Sequence, residues 1–151
     1  MSVELLKAHG FEIVRDGPER RVMLSADVLG DYKAIGSATD KFNVSRRRAL
    51  ERLFKHFCEV AKPNNNREQF VKEGNFGSAN EAVWAFKVHQ FRVYGASLKV
   101  DGKETFIGVR HDPSKKQNRA DQGLLKASGA ALSGVRTLLT KAGVPEKAGT
   151  R

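Results

Sequence analysis

The stretch FKVHQFRVYG, residues 86–95, gathers an unusual set of polar side chains. Read with a period of two across a pair of strands, Phe86, Val88, Phe91 and Val93 fall on one side. Lys87, His89, Arg92 and Tyr94 fall on the other if the 89–91 connection keeps the alternation, and three cationic or protonatable groups and a phenol then share a sheet face. Arg110, His111, Lys115 and Lys116 arrive at the end of a third strand nearby. A plain alternative is that Trp84, Phe86, Phe91 and Phe106 form a core side while the rest faces water. A solvent face would accept Glu, Thr or Ser freely, yet the acids of this region are confined to the 101–104 turn and Asp112. That segregation favours a site for an anion.

Other chemistries find less support. Neither GxxxxGK[ST] nor GxGxxG occurs, so no phosphate-cradling nucleotide loop is expected. His56 and Cys58 lie two apart on a helix and diverge, and His9, His89 and His111 belong to three other elements, so no metal set is expected. No pair of acids suggests glycoside or two-metal chemistry. Cys58, among Phe54 and Phe57, reads as a small buried hydrophobe. No cofactor is expected.

The charge balance agrees with an anionic partner. The chain carries 27 Lys and Arg against 17 Asp and Glu, a net +10. From Lys87 onward there are 13 basic and 5 acidic residues, so most of the excess lies in the last 65 residues. Such a field attracts nucleic acid or another polyanion. One cysteine cannot form an internal disulfide, which points to a reducing, cytoplasmic setting. The start MSVELLKAHG lacks a signal pattern and no stretch is long enough to span a bilayer, so no membrane partner is expected.

The elements that must position these groups follow from pattern. Residues 2–9 suit a short helix ended by Gly10. FEIVRDGPERRVML reads as two strands around Asp16-Gly17-Pro18. Residues 26–43 are mixed. Leu50, Leu53, Phe54, Phe57 and Ala61 recur at helical spacing in a helix capped at Ser45 and stopped by Pro63. Arg46, Arg47 and Arg48 fall on its first turn, where the helix dipole disfavours cations, so they form either a solvated helix face or a contact for phosphate. Residues 67–80 read as a helical turn and a glycine-bearing loop. Three antiparallel strands follow at about 83–89, 91–100 and 103–111, the last two joined by an Asp101-Gly102 turn. Asp112-Pro113 can open the last helix, or the helix begins a few residues later. Its Leu/Ala face at 120–139 is wide enough to suggest a homodimer or partner surface.

The expected fold is α+β, an antiparallel sheet of three or more strands with helices packed on one face. The domain division is an N-terminal extension over 1–43 that can join the sheet, a main domain over 44–142, and a disordered basic tail over 143–151.

VWAFKVHQFRVYG followed by KETFIGVRHDPSKKQNRAD resembles the RelE/HigB superfamily of bacterial toxin ribonucleases, in a phage- or prophage-type branch. The resemblance covers about residues 45–128. It rests on Trp84, on Phe91-Arg92-Val93-Tyr94, on Lys115-Lys116-Gln117, and on the upstream amphipathic helix where that family has a helical hairpin. The chain departs from the family in its length at both ends and in Asn118-Arg119-Ala120, where a Thr-Pro often stands. The resemblance implies a RelE-like fold and metal-independent cleavage of RNA, often messenger RNA on the ribosome, with a cognate antitoxin as partner. On that reading a ribose 2′-hydroxyl attacks the adjacent phosphate, which needs a base, an acid and a cationic cradle. His89, His111 or Lys87 would move protons, Arg92 and Arg110 would hold the phosphate, and Tyr94 would stack a base or bond the phosphate. Arg46, Arg47, Arg48, Lys115, Lys116 and Arg119 would track the RNA backbone. Two other functions stay open: a non-catalytic nucleic-acid- or ribosome-binding protein of the same fold, and a phage protein that binds a host protein.

Overall fold

A computed structural model describes residues 2–60, 70–88, 91–112 and 121–141. The chain runs α1 (Ser2–Ala8), β1 (Glu12–Asp16), β2 (Arg20–Leu24), α2 (Ala26–Ser37), α3 (Lys41–Glu59), β3 (Phe70–Phe76), β4 (Glu81–Val88), β5 (Phe91–Val100), β6 (Lys103–Asp112) and α4 (Gln122–Lys141). The fold is α+β. Its six strands form one sheet in the order β1-β2-β6-β5-β4-β3.

The sheet is mixed, where an antiparallel one was expected. Four of its pairings are antiparallel, but β2 runs parallel to β6, from Arg20 opposite Glu104 to Leu24 opposite Gly108. Returning parallel to the far strand requires a long crossover, and the stretch from α2 to β5 makes it. The strands β1 and β2 belong to this sheet, a course the sequence had left open for the N-terminal segment, and the boundary drawn after residue 43 falls inside α3.

Helices cover both faces, where one covered face was expected. Alternate residues of the central strands are apolar in both registers, and a sheet with two apolar faces must be covered twice. On one face Met23, Val83, Ala85, Tyr94, Ala96, Leu98, Ile107 and Val109 pack against Leu6 of α1 and Leu125, Leu132, Val135 and Leu139 of α4. On the other, Val22, Leu24, Phe86, Val88, Phe91, Val93 and Phe106 pack against Val28 and Leu29 of α2 and Leu50, Phe54, Phe57 and Cys58 of α3. Phe86 meets Phe54 edge to face at 5.1 Å and Phe57 at 5.5 Å. The wide apolar face of α4 is therefore spent on the sheet, with Leu124, Ala131 and Leu138 partly buried against the same core. Gly129 lets α4 approach closely: a Cβ there would stand 2.3 Å from the Phe76 carbonyl oxygen.

The helix α3 begins earlier than its sequence suggested. Its cap is Asp40, whose carboxylate accepts from the Asn43 amide at 3.0 Å, and Ser45 lies inside the helix. The segment read as a turn and loop holds a strand, β3. The alternative start for the last helix is the one adopted: Asp121 accepts from the Leu124 amide at 3.0 Å, while Asp112 ends β6. Pro63, Pro113 and the tail over 143–151 lie outside the described residues. Among the described residues no helix is long and apolar enough to cross a membrane.

Candidate functional site

At one end of the sheet, on the α4 face, the strand register brings four polar side chains together. Lys87 on β4 lies opposite Arg92 on β5, and Tyr94 lies opposite both Ala85 on β4 and Arg110 on β6. Directly opposed residues of antiparallel strands share a face, so Lys87, Arg92, Tyr94 and Arg110 share this one; the alternation of β4 and β5 pointed to the first three. Asp112 lies across from Arg92.

A fourth strand supplies a carboxylate that sequence reasoning missed. The register of β3 slips between Lys72 and Gly74, and the extra residue is Glu73. Gly74 sits at φ +142, a backbone conformation open to glycine but strained for other residues. The bulge brings Glu73 Oε2 to 3.7 Å from Arg92 Nη1 and 4.0 Å from Lys87 Nζ. The signal was present in sequence as an acid beside a glycine, but only a strand assignment for 70–76 would have given it meaning.

These groups are largely shielded from water: the side chains of Glu73 and Arg92 are 15% and 14% exposed, and that of Lys87 27%. Yet their hydrogen bonding is incomplete. Glu73 Oε2, Arg92 Nε and the Tyr94 hydroxyl are buried and have no hydrogen-bond partner among the described residues. Burial holds the Lys87 ammonium below the usual lysine range, the Arg92 charge adds to the effect, and Glu73 opposes it. Burial raises the Tyr94 phenol well above its ordinary value. Tyr94 is fully buried, so it cannot stack an RNA base in this conformation, which was one of the two roles expected of it.

His111 departs from the expected group. A second register slip, between Tyr94 and Gly95, places Val109 and Arg110 together against β5 and turns His111 to lie opposite Val93. His111 therefore faces the α2/α3 side, where its ring stacks near Phe91 and its Nε2 bonds Asp31 of α2. His111 is thus separated from Lys87 and Arg92 by the sheet and engaged by a carboxylate. His89, Lys115, Lys116 and Arg119 lie outside the described residues.

The three consecutive arginines of α3 meet three fates because each step turns about 100° around the helix. Arg46 is buried, its guanidinium 4.8 Å from the Phe42 ring centre and 5.0 Å from that of Phe91, and it donates to Asn43 Oδ1 at 2.9 Å. Arg47 donates to the Gly36 carbonyl at 2.9 Å, tying α3 to the end of α2. Both are structural where phosphate contacts were expected. Arg48 is exposed and borders a cleft of about 490 Å³ together with Lys41, Ser45 and Arg52.

Cys58 is buried and its thiol is pushed up to about 11 by burial, the behaviour of a core residue. Among the described residues no group of three or more His, Cys, Asp or Glu side chains is placed to hold a metal ion. Comparison of the chain with protein-family models, curated proteins and solved structures gives no match.

Proposed function

We propose that the α4-side end of the sheet, with Glu73, Lys87, Arg92 and Arg110, is the cleavage site of a metal-independent, RelE/HigB-like endoribonuclease. The observation that carries this reading is the concentration of buried polar atoms left without hydrogen bonds: Glu73 Oε2 and Arg92 Nε belong to one ion pair, with the Tyr94 hydroxyl on the same face, whereas Arg21 Nε and Arg46 Nε are single atoms elsewhere. Buried polar atoms are nearly always satisfied, and exceptions call for an explanation such as a ligand. A ribose–phosphate link has the matching atoms. Its 2′-hydroxyl donates to Glu73 Oε2, and its phosphate oxygens accept from the guanidinium of Arg92 and from Arg110.

In the proposed reaction Glu73 takes the proton of the 2′-hydroxyl as that oxygen forms a bond to phosphorus. The bond from phosphorus to the 5′-oxygen breaks, and Lys87 gives the departing oxygen its proton. The products are a 2′,3′-cyclic phosphate and a 5′-hydroxyl. Arg92 and Arg110 offset the charge that grows on the phosphate, and such placed donors are worth about 10²–10³ in rate each. Burial already weakens the hold of Lys87 on its proton, which brings it nearer to service as an acid at neutral pH. The helical hairpin of α2 and α3 before the β3–β6 meander, and Trp84 on the strand leading to Phe91-Arg92-Val93-Tyr94, agree with the family resemblance. The ribosome as the place of cleavage and a small acidic antitoxin as partner belong to the same proposal.

A second reading is a non-catalytic nucleic-acid-binding protein. The position of Glu73 favours it, since the carboxylate is close enough to neutralise part of the Lys87 and Arg92 charge. End-labelled messenger RNA, incubated with the protein with and without ribosomes, separates the two. Cleavage that leaves cyclic-phosphate ends, is blocked by a 2′-deoxy substitution at the cut, and disappears in Lys87→Met and Arg92→Ala is the expected result. Identical products from the wild type and the Lys87→Met/Arg92→Ala double variant would refute it.

A further inference from the structure

We infer that the outer surface of α3 is a separate docking surface for a nucleic-acid backbone, gripped through Lys41, Arg48 and Arg52. Positions 41, 45, 48 and 52 are spaced by four, three and four residues, so they form one stripe on the helix. All four are exposed. The stripe borders the cleft of about 490 Å³, whose lining contains three cations, two hydroxyl residues and no carboxylate. The adjacent acid, Asp40, is occupied in capping the helix through the Asn43 amide and side chain, at 3.0 and 3.1 Å. No ion pair within the described residues takes up Lys41, Arg48 or Arg52, whereas Arg15, Arg20, Arg21, Lys87, Arg92, Lys103 and Arg136 all have carboxylate partners. Lys99 and Lys126 also lack a carboxylate partner among the described residues, but they sit singly on other elements, whereas Lys41, Arg48 and Arg52 share one helix stripe and one cleft.

The chemistry of the lining points to phosphate and sugar, not to bases. It offers cations and hydroxyls but no aromatic ring on which a base could stack. From Lys41 to Arg52 the helix advances about 16 Å, which spans about five nucleotides of a strand rising ~3.4 Å each. The surface lies on the α2/α3 side of the sheet, opposite the Glu73 cluster, so it holds a different stretch of backbone from any that is cut. Binding here does not depend on the cleavage reading.

The test uses the full chain and fluorescein-labelled mixed-sequence strands of RNA and of DNA, with anisotropy read over a series of salt concentrations. DNA lacks the 2′-hydroxyl, so its arm succeeds or fails whatever the outcome for RNA cleavage. For Arg48→Gln/Arg52→Gln, the slope of log K against log salt should shrink by about 1.4, two contacts at ~0.7 each for a single strand. Arg48→Lys/Arg52→Lys should keep most of the slope, and Lys99→Gln/Lys126→Gln, two exposed cations on other elements, should leave it unchanged. A glutamine variant with the wild-type slope would overturn the inference, as would an equal loss in the Lys99/Lys126 control. Displacement of either strand by poly-glutamate at matched charge would also overturn it, in favour of an acidic protein partner. Thermal melting of each variant close to the wild type shows that the slope reports binding and not folding.

Discussion

The two faces of the sheet solve the same burial problem with different side chains. The α2/α3 face is aromatic: Phe54, Phe57, Phe70, Phe86 and Phe106 stack or meet edge to face with ring centres between 4.3 and 6.3 Å apart. Its polar groups are engaged one by one, His111 by Asp31, Arg20 by the carbonyls of Phe57 and Val60, and Arg46 by two rings and Asn43, with only the Arg46 Nε left outside a hydrogen bond among the described residues. The α4 face is aliphatic, filled by valine, alanine and leucine, and at one end it holds Glu73, Arg92 and Tyr94 with buried polar atoms unmet. One face is committed to stability. The other gathers an acid and two cations within 4.0 Å at one end, the kind of charge cluster that acid–base chemistry requires.

This contrast can be broken by substitution. The largest stability effect belongs to the aromatic face: Phe86→Ala should lose about 3–5 kcal/mol of unfolding free energy, read by urea denaturation. A loss below about 1 kcal/mol would mean that the ring cluster is not the main support. Next comes Lys87→Met on the other face, expected to lower RNA cleavage by about 10²–10³ while the protein stays folded.

The same variant tests the electrostatics of the cluster. A lysine whose pKa is lowered by folding binds its proton less tightly in the native than in the unfolded chain. Stability from this group is therefore lowest where Lys87 is charged in both states. It rises as pH climbs from the lowered native value toward the ordinary lysine value, ~10.4. Tyr94, with its raised native pKa, works in the opposite direction once the pH passes the ordinary tyrosine value of ~10. Melting temperatures of Lys87→Met from neutral pH to about pH 10 should therefore lack a rise that the wild type shows.

Smaller effects sharpen the division. Tyr94→Phe removes a buried hydroxyl with no partner and should raise stability by about 1 kcal/mol without altering cleavage; a large loss of cleavage would restore Tyr94 to the chemistry. His111→Gln should cost about 0.5–1.5 kcal/mol, the worth of one hydrogen bond, and leave cleavage intact. An inactive His111→Gln protein of normal stability would contradict the separation of the two faces.

Much of the framework was legible in the chain. Gly10 ends α1, Asp16-Gly17-Pro18 separates β1 from β2, and the alternation from Val83 to His111 gives three strands within two residues of their observed limits. Two elements were hidden. The segment of β3 carries Glu73, Gly74 and Asn75 in its middle, residues of low strand propensity that only pairing with β4 overrides. The helix α2 carries Gly30 and Gly36 among few apolar residues, and its three buried positions, Val28, Leu29 and Ile35, are too few to set a clear period.

Side-chain direction along each strand is a local property with a period of two, so the sequence put Lys87 and Arg92 on a common face on the one condition that the 89–91 connection kept the alternation, and the pairing of Lys87 with Arg92 meets it. Glu73 joining them, Arg110 turning toward them and His111 turning away were decided by tertiary structure. Each depends on a one-residue slip in pairing, at Glu73 in β3 and at Val109 in β6. A slip reverses the facing of every residue beyond it, and its position is set by the partner strand, which the local sequence does not contain.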